Sequence, residues 1–158
     1  LKGPVHMFEH RQSLETAAML DTVLTQEGTV AVVWAGVVPY FLERNAIAIL
    51  GKNDKYVARL PAVRTNPPPL LESFYPGHMK YDYGYSVGTL KPDVILRLWM
   101  VQNDPPPSVK EMYWRVELGD VRFFARKNSE NIRWEGIRCS VCKLDPRSHG
   151  DCLERNIM

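Results

Sequence analysis

Two short apolar runs, each closed by a glycine, constrain this chain more than anything else in it. Val30–Ala35 is uninterrupted and stops at Gly36, and Ala46–Leu50 stops at Gly51. Runs of this kind, rich in Val and Ile, read as strands buried on both faces, because a half-exposed strand would alternate with polar residues. Between them, Pro39-Tyr40-Phe41-Leu42-Glu43-Arg44 has the length of a short helical crossover. Strand, crossover and strand make a parallel α/β unit. In such sheets ligands gather beyond the carboxyl ends of the strands. Here those ends are the loops at Ala35-Gly36 and Gly51-Lys52-Asn53-Asp54.

The remaining segments supply helices for the faces and more strands for the edge. From Ser13, a plausible N-cap, Leu14, Ala17, Ala18 and Leu24 recur on one side, widened by Met19, Leu20 and Val23, and Gly28 is a stop signal. Met19 reads as core filler. Asp54 is placed to cap a short helix through Tyr56–Arg59. Lys91-Pro92-Asp93 precedes a third strand, Val94–Val101, with Trp99 inside it. Gln102–Ser108, with Pro105-Pro106-Pro107, reads as a stiff connection. Tyr113–Leu118 and Val121–Arg126 alternate around Gly119-Asp120, which predicts an antiparallel hairpin, and Ile132 and Trp134 add a last short strand. The expected fold class is α/β: a small Rossmann-like sheet of parallel strands plus a C-terminal antiparallel hairpin, with helices on the faces. The chain of 158 residues divides into one such domain, 1–136, and a compositionally separate tail, 137–158.

Charge and hydropathy narrow the partners. The formal net charge is +2 and the basic residues are scattered, whereas nucleic-acid binding wants a concentrated basic face, so no nucleic acid is expected. The longest apolar stretch, Val30 to Leu42, is broken by Gly36 and Pro39, short of the roughly 20 residues that cross a bilayer. A chain that opens on Leu1 reads as a piece of a longer protein, with its cellular address in sequence outside it.

Glycine-rich phosphate loops are absent, as are the nucleophile elbow and the His-Glu-x-x-His helix. The chemistry concentrates elsewhere. A long irregular stretch, Pro61 to Gly77, leads into His78-Met79-Lys80-Tyr81-Asp82-Tyr83-Gly84-Tyr85. Aromatic rings with polar tips suit contact surfaces, which makes His78, Lys80, Tyr81, Asp82, Tyr83 and Tyr85 the first-choice ligand region. Asp54 and Arg59 join it if the two loop regions converge. His78 and Asp82 would face one another only on a helix, and Pro76-Gly77 and Gly84 oppose that. A small free-standing α/β enzyme using this pair stays open as an alternative. Trp34 reads as core rather than as a sugar-stacking platform. The tail offers Cys139, Cys142, His149 and Cys152, a ligand set for tetrahedral zinc. The same cysteines could instead form one disulfide with one thiol left over, or stay idle. A protein-interaction module with a zinc-binding tail is the further alternative.

One resemblance sharpens these expectations. Ala31–Phe41, Ala46–Asp54, Ala58-Arg59-Leu60-Pro61 and Pro76-Gly77-His78-Met79-Lys80, with the hairpin Tyr113 to Arg126 and Ser129-Glu130-Asn131-Ile132, form a recognisable succession. It resembles the C-terminal extracytoplasmic domains of bacterial polytopic membrane glycosyltransferases of the GT-C type, the arabinofuranosyltransferase-like and mannosyltransferase-like proteins. The similarity covers about Ser13 to Trp134. Related sequences often carry an acidic residue where Ala48 stands, and the cysteine tail has no counterpart in them. The resemblance implies a polyprenyl-phosphate sugar donor and a location on the extracytoplasmic, periplasmic side of the inner membrane. It also implies partners: the transmembrane part of the same polypeptide, and an acceptor glycan or lipid-linked sugar. The catalytic carboxylate of such enzymes lies between early membrane spans, so the resemblance assigns no catalytic residue here. The domain would be inactive alone, holding the acceptor or closing the active site.

Overall fold

In the computed structural model, which describes residues 7–63, 77–101, 105–137 and 141–142, the two glycine-closed runs form a parallel pair. Strand β1 (Thr29–Val32) lies beside β2 (Asn45–Ala48), with Thr29 opposite Asn45 and Val32 opposite Ala48. Helix α2 (Val37–Leu42) makes the crossover between them. Strand β3 (Val94–Ile95) flanks β1 on the other side, also parallel. Beyond it come β5 (Val121–Arg126) and β4 (Tyr113–Leu118), an antiparallel hairpin with the bounds its sequence predicts, and then β6 (Val141–Cys142). The sheet has six strands in the order β2-β1-β3-β5-β4-β6. The fold is α/β.

Burial on both faces explains the unbroken apolar run. Val30 and Val32 point into one core, shared with Leu20, Val23 and Leu24 at the end of helix α1 (Met7–Val23) and with Val38 and Leu42 of α2. Ala31 and Val33 point into the other, with Ile49, Leu50, Val87 and Val109. Val87 comes from a π-helical turn, Gly84–Thr89, and Val109 from helix α4 (Pro107–Met112). Helices therefore cover both faces.

Several expectations shift. Helix α1 starts well before Ser13, and Arg11 and Glu15 form an ion pair one turn apart, at 2.9 Å. It ends at Val23, ahead of Gly28, because the Arg133 guanidinium donates to the Asp21 and Thr22 carbonyls at 2.8 and 3.3 Å. Met19 packs against the first core, as expected of filler. Arg44 lies outside α2 and caps it, donating to the Leu42 carbonyl at 3.0 Å, the Thr25 carbonyl at 2.7 Å and Asp21 at 2.7 Å. The third strand is two residues, not Val94–Val101. The Tyr83 hydroxyl takes both backbone groups of Trp99, accepting from its N–H and donating to its carbonyl, each at 2.6 Å, so that residue has nothing left for a sheet ladder. Pro107 opens α4, since its fixed φ suits a first helical turn. Ile132 makes only a bridge to Leu24, and Trp134 begins a 3₁₀ turn. Residues 64–76 and 102–104, within the Pro61–Gly77 and Gln102–Ser108 segments, lie outside the described residues.

Asp93 locks the amino-terminal edge of the parallel strands. It is 1% exposed and accepts from the Thr29 N–H at 2.8 Å, the Thr29 hydroxyl at 2.9 Å, Asn131 Nδ2 at 3.2 Å, Ser129 Oγ at 2.6 Å and the Arg126 guanidinium. Burial pushes its carboxyl up, but the hydrogen bonds from Ser129, Arg126 and Thr29 outweigh it and bring the group down to about 2. A perturbed, buried carboxylate often marks an active site. In this one donors engage both carboxylate oxygens, which gives it a structural role.

Candidate functional site

Parallel strands share a direction, so the chain leaves β1, β2 and β3 at the same end of the sheet, and three loops meet there. The loop after β1 carries Trp34, the loop after β2 carries Lys52, Asn53 and Asp54, and the loop after β3 carries Trp99. The segment from Gly77 to Thr89 lies against all three. This is the end at which ligands of parallel sheets bind.

The first feature is an aromatic shelf. Trp34 is 52% exposed, which corrects the expectation that it is core. The strand stops at Val32, so the last part of the apolar run is already loop. The His78 ring stands edge-on to Trp34, with centroids 5.1 Å apart, and tilted against Trp99 at 5.4 Å; the two indoles meet edge-on at 5.8 Å. Lys52 Nζ lies 3.0 Å from His78 Nε2 and 5.4 Å from the Trp34 ring centroid. At that distance the ammonium donates and the imidazole nitrogen accepts.

The second feature is a shallow, open cavity of about 500 Å³ on the other side of the Lys52–Asp54 turn. Asp54 caps helix α3 (Lys55–Arg59), its Oδ1 accepting from the Val57 N–H at 2.8 Å, as its position predicts. The other carboxylate oxygen receives the Tyr85 hydroxyl at 3.4 Å. Tyr85 and Tyr56 pack ring on ring, centroids 4.2 Å apart and planes 37° from parallel. Burial, then the charge of Asp54, raises the Tyr85 phenol above its ordinary value, keeping it a hydrogen-bond donor. Asn53 and Arg59 also line this cavity. Gly51 makes the turn possible: at φ +70° it passes so close beneath α3 that a Cβ would sit 2.8 Å from the Ala58 amide nitrogen.

The structure thus brings Asp54, Arg59 and Tyr85 together, and His78 to the shelf. The other expected residues hold the loops in shape. Lys80 Nζ donates to the Ala58 carbonyl at 2.7 Å, pinning the segment to the end of α3. Asp82 Oδ1 accepts from the Tyr85 N–H at 3.0 Å and starts the π-helical turn. Tyr83 ties down Trp99, and burial raises its phenol far above the usual range. Tyr81 packs against Tyr83, centroids 5.4 Å apart. Residues 77–82 are not helical, so His78 and Asp82 do not share a helix face.

Trp34, Lys52, Tyr56 and Trp99 were missing from the sequence-based set. Three of them stand just past the end of a parallel strand, a signal readable once the strand ends are placed correctly. A separate apolar hollow of about 580 Å³ runs along Ala35–Val37 and Pro39–Phe41, where Tyr40 is 76% and Phe41 57% exposed. Among the described residues no group of His, Cys, Asp and Glu could hold a metal ion. Cys139, His149 and Cys152 lie outside those residues, and of Cys142 only the backbone, in β6, is described. No helix among the described residues is long and apolar enough to cross a membrane.

Compared with curated proteins and with solved structures, the chain matches none. A family model described as a domain of unknown function, DUF8728, matches residues 5–137, and the chain belongs to that family.

Proposed function

We propose that this chain is a glycan-holding domain of a membrane glycosyltransferase of the GT-C type, extracytoplasmic and without a catalytic residue of its own. The observation that carries the reading is the half-exposed Trp34 ring, backed by His78 and Trp99 and flanked by the Lys52 ammonium. Sugars present a C–H face that packs on an indole and a rim of hydroxyls that needs nearby polar groups. An exposed aromatic face beside a cation and an imidazole provides both. The resemblance over about Ser13 to Trp134 to the extracytoplasmic domains of such enzymes supports the same reading. In this role the domain takes no part in bond making. It holds an acceptor glycan, or the sugar of a lipid-linked donor, over a reactive site supplied by the membrane part.

Binding is the direct test. Mannose and arabinofuranose oligosaccharides titrated into the chain are expected to perturb tryptophan fluorescence. Trp34→Ala is expected to remove binding while leaving the unfolding midpoint within a few degrees, since half-exposed positions contribute little to stability. Undiminished binding by that variant refutes the shelf. The membrane half of the reading is tested in the gene: coding sequence for many apolar spans upstream of Leu1 is expected, and their absence refutes it.

A further inference from the structure

A second surface at this end of the sheet carries exposed polar and aromatic groups. The cavity across the Lys52–Asp54 turn has an aromatic floor in the Tyr56–Tyr85 pair, and Tyr56 is 49% exposed. Part of its polar rim is uncommitted. Asn53 and Arg59 have no hydrogen-bond partner among the described residues, and the Tyr85 hydroxyl has only its long 3.4 Å contact with Asp54, whose carboxylate also caps α3. An amide, a guanidinium and a phenol around a ring face match the alternating donors and acceptors of a sugar's hydroxyls. The apolar hollow at Val37–Phe41 has a phenol in Tyr40 but no side-chain amide or guanidinium. Two connections join cavity and shelf. Lys52 of the shelf and Asn53 of the cavity are adjacent in sequence, so their Cα atoms are about 3.8 Å apart. The segment from His78 to Tyr85 runs from one site to the other, held midway by Lys80 on the Ala58 carbonyl.

We propose that the Tyr56–Tyr85–Arg59 cavity is a second sugar subsite, and that one oligosaccharide spans it and the Trp34 shelf across the Lys52–Asp54 turn. This rests on the glycan-holding reading above and adds the ligand's form: a chain of several units rather than a single sugar. A shelf alone would bind every length alike, whereas two joined subsites make affinity rise with length until both are filled.

The test is calorimetric titration of the 158-residue chain with a ladder of α-linked mannooligosaccharides, mono- to pentasaccharide, and a matching arabinofuranose ladder. Affinity is expected to climb with length. Tyr56→Ala and Arg59→Ala are each expected to weaken the pentasaccharide about tenfold while leaving the disaccharide unchanged, whereas Trp34→Ala weakens all lengths. Arg59 is exposed, so its variant keeps the test alive if Tyr56→Ala fails to fold. Pentasaccharide affinity equal to wild type in the Arg59 and any folded Tyr56 variant, with binding lost in Trp34→Ala, overturns the second subsite and leaves the shelf standing. No binding by the wild-type chain at any length overturns the glycan reading and this inference with it.

Discussion

Replacing Asp93 by Asn puts the architecture under the strongest strain it can meet from one atom. The side chain keeps its size and loses its charge. Either orientation of the amide points an NH₂ group at donors: the Arg126 guanidinium and Ser129 on one side, Thr29 and Asn131 on the other. The carboxyl's fall from 3.8 to about 2 alone corresponds to about 2 kcal/mol of folding stability. Donors left facing donors, and an Arg126 cation without its counter-ion, add to that, so the total approaches the roughly 3–5 kcal/mol typical of a broken buried pair. Against a typical domain stability of about 5–15 kcal/mol, the variant folds with a thin margin. Urea unfolding followed by tryptophan fluorescence should show it as a large drop in midpoint. The sign of the pH dependence gives a second check. A carboxyl depressed in the folded state contributes fully above its unfolded value, near pH 4, and loses that contribution as pH falls toward 2. The gap between wild type and Asp93→Asn should therefore narrow over that window. A loss under about 1 kcal/mol at neutral pH, or a gap that stays constant down to pH 2, refutes the assignment of Asp93 as the lock.

Three further outcomes are expected. Gly51→Ala should cost about 2 kcal/mol or more, because it combines a positive φ with a Cβ 2.8 Å from the Ala58 nitrogen, and thermal unfolding measures it. Of the seven tyrosines, the buried Tyr113 and the partly buried Tyr83 are raised furthest, chiefly by loss of solvent, so absorbance titration should show both silent until the fold gives way. Stability held by neutral phenols is complete below their unfolded value near pH 10 and is lost as pH rises through the higher folded values. Tyr40→Ser with Phe41→Ser should leave stability nearly unchanged and shorten retention on a hydrophobic column, since both rings are solvent-facing.

What the sequence makes legible here is what depends on near neighbours. The parallel pair follows from two short apolar runs, rich in Val or Ile and closed by Gly, and the hairpin follows from alternation around Gly119, which adopts φ +58°. Asp54 as a cap is likewise a three-residue event. Two of the misreadings share another cause: each was settled by a residue distant in the chain. Arg133 ends α1, and Tyr83 withdraws Trp99 from the sheet. For the site, residue type proved a better guide than role. The tyrosine-rich segment does lie where the strands end, yet Lys80, Asp82 and Tyr83 are consumed in shaping it. The exposed ring comes from Trp34, which an apolar run of unknown end disguises as core.

The two ends of the parallel strands differ in how their polar groups are used. At the amino-terminal edge every polar atom of Asp93 is used, and Tyr113, whose hydroxyl donates to the Pro92 carbonyl at 2.8 Å, closes the same region. At the carboxyl-terminal edge Arg59 and Asn53 face solvent, and the Trp34 ring, though backed by His78 and Trp99, keeps half its surface exposed. A protein gains nothing in stability from such groups, and a buried edge could not tolerate them. They persist without penalty because water hydrates them, while the packed cores and the Asp93 network hold the sheet. Substitutions at Trp34, Tyr56 or Arg59 should therefore change binding and spare folding, while those at Asp93 or Thr29 should do the reverse. A substitution of Trp34, Tyr56 or Arg59 that unfolded the sheet as thoroughly as Asp93→Asn would show that the two duties are not separable.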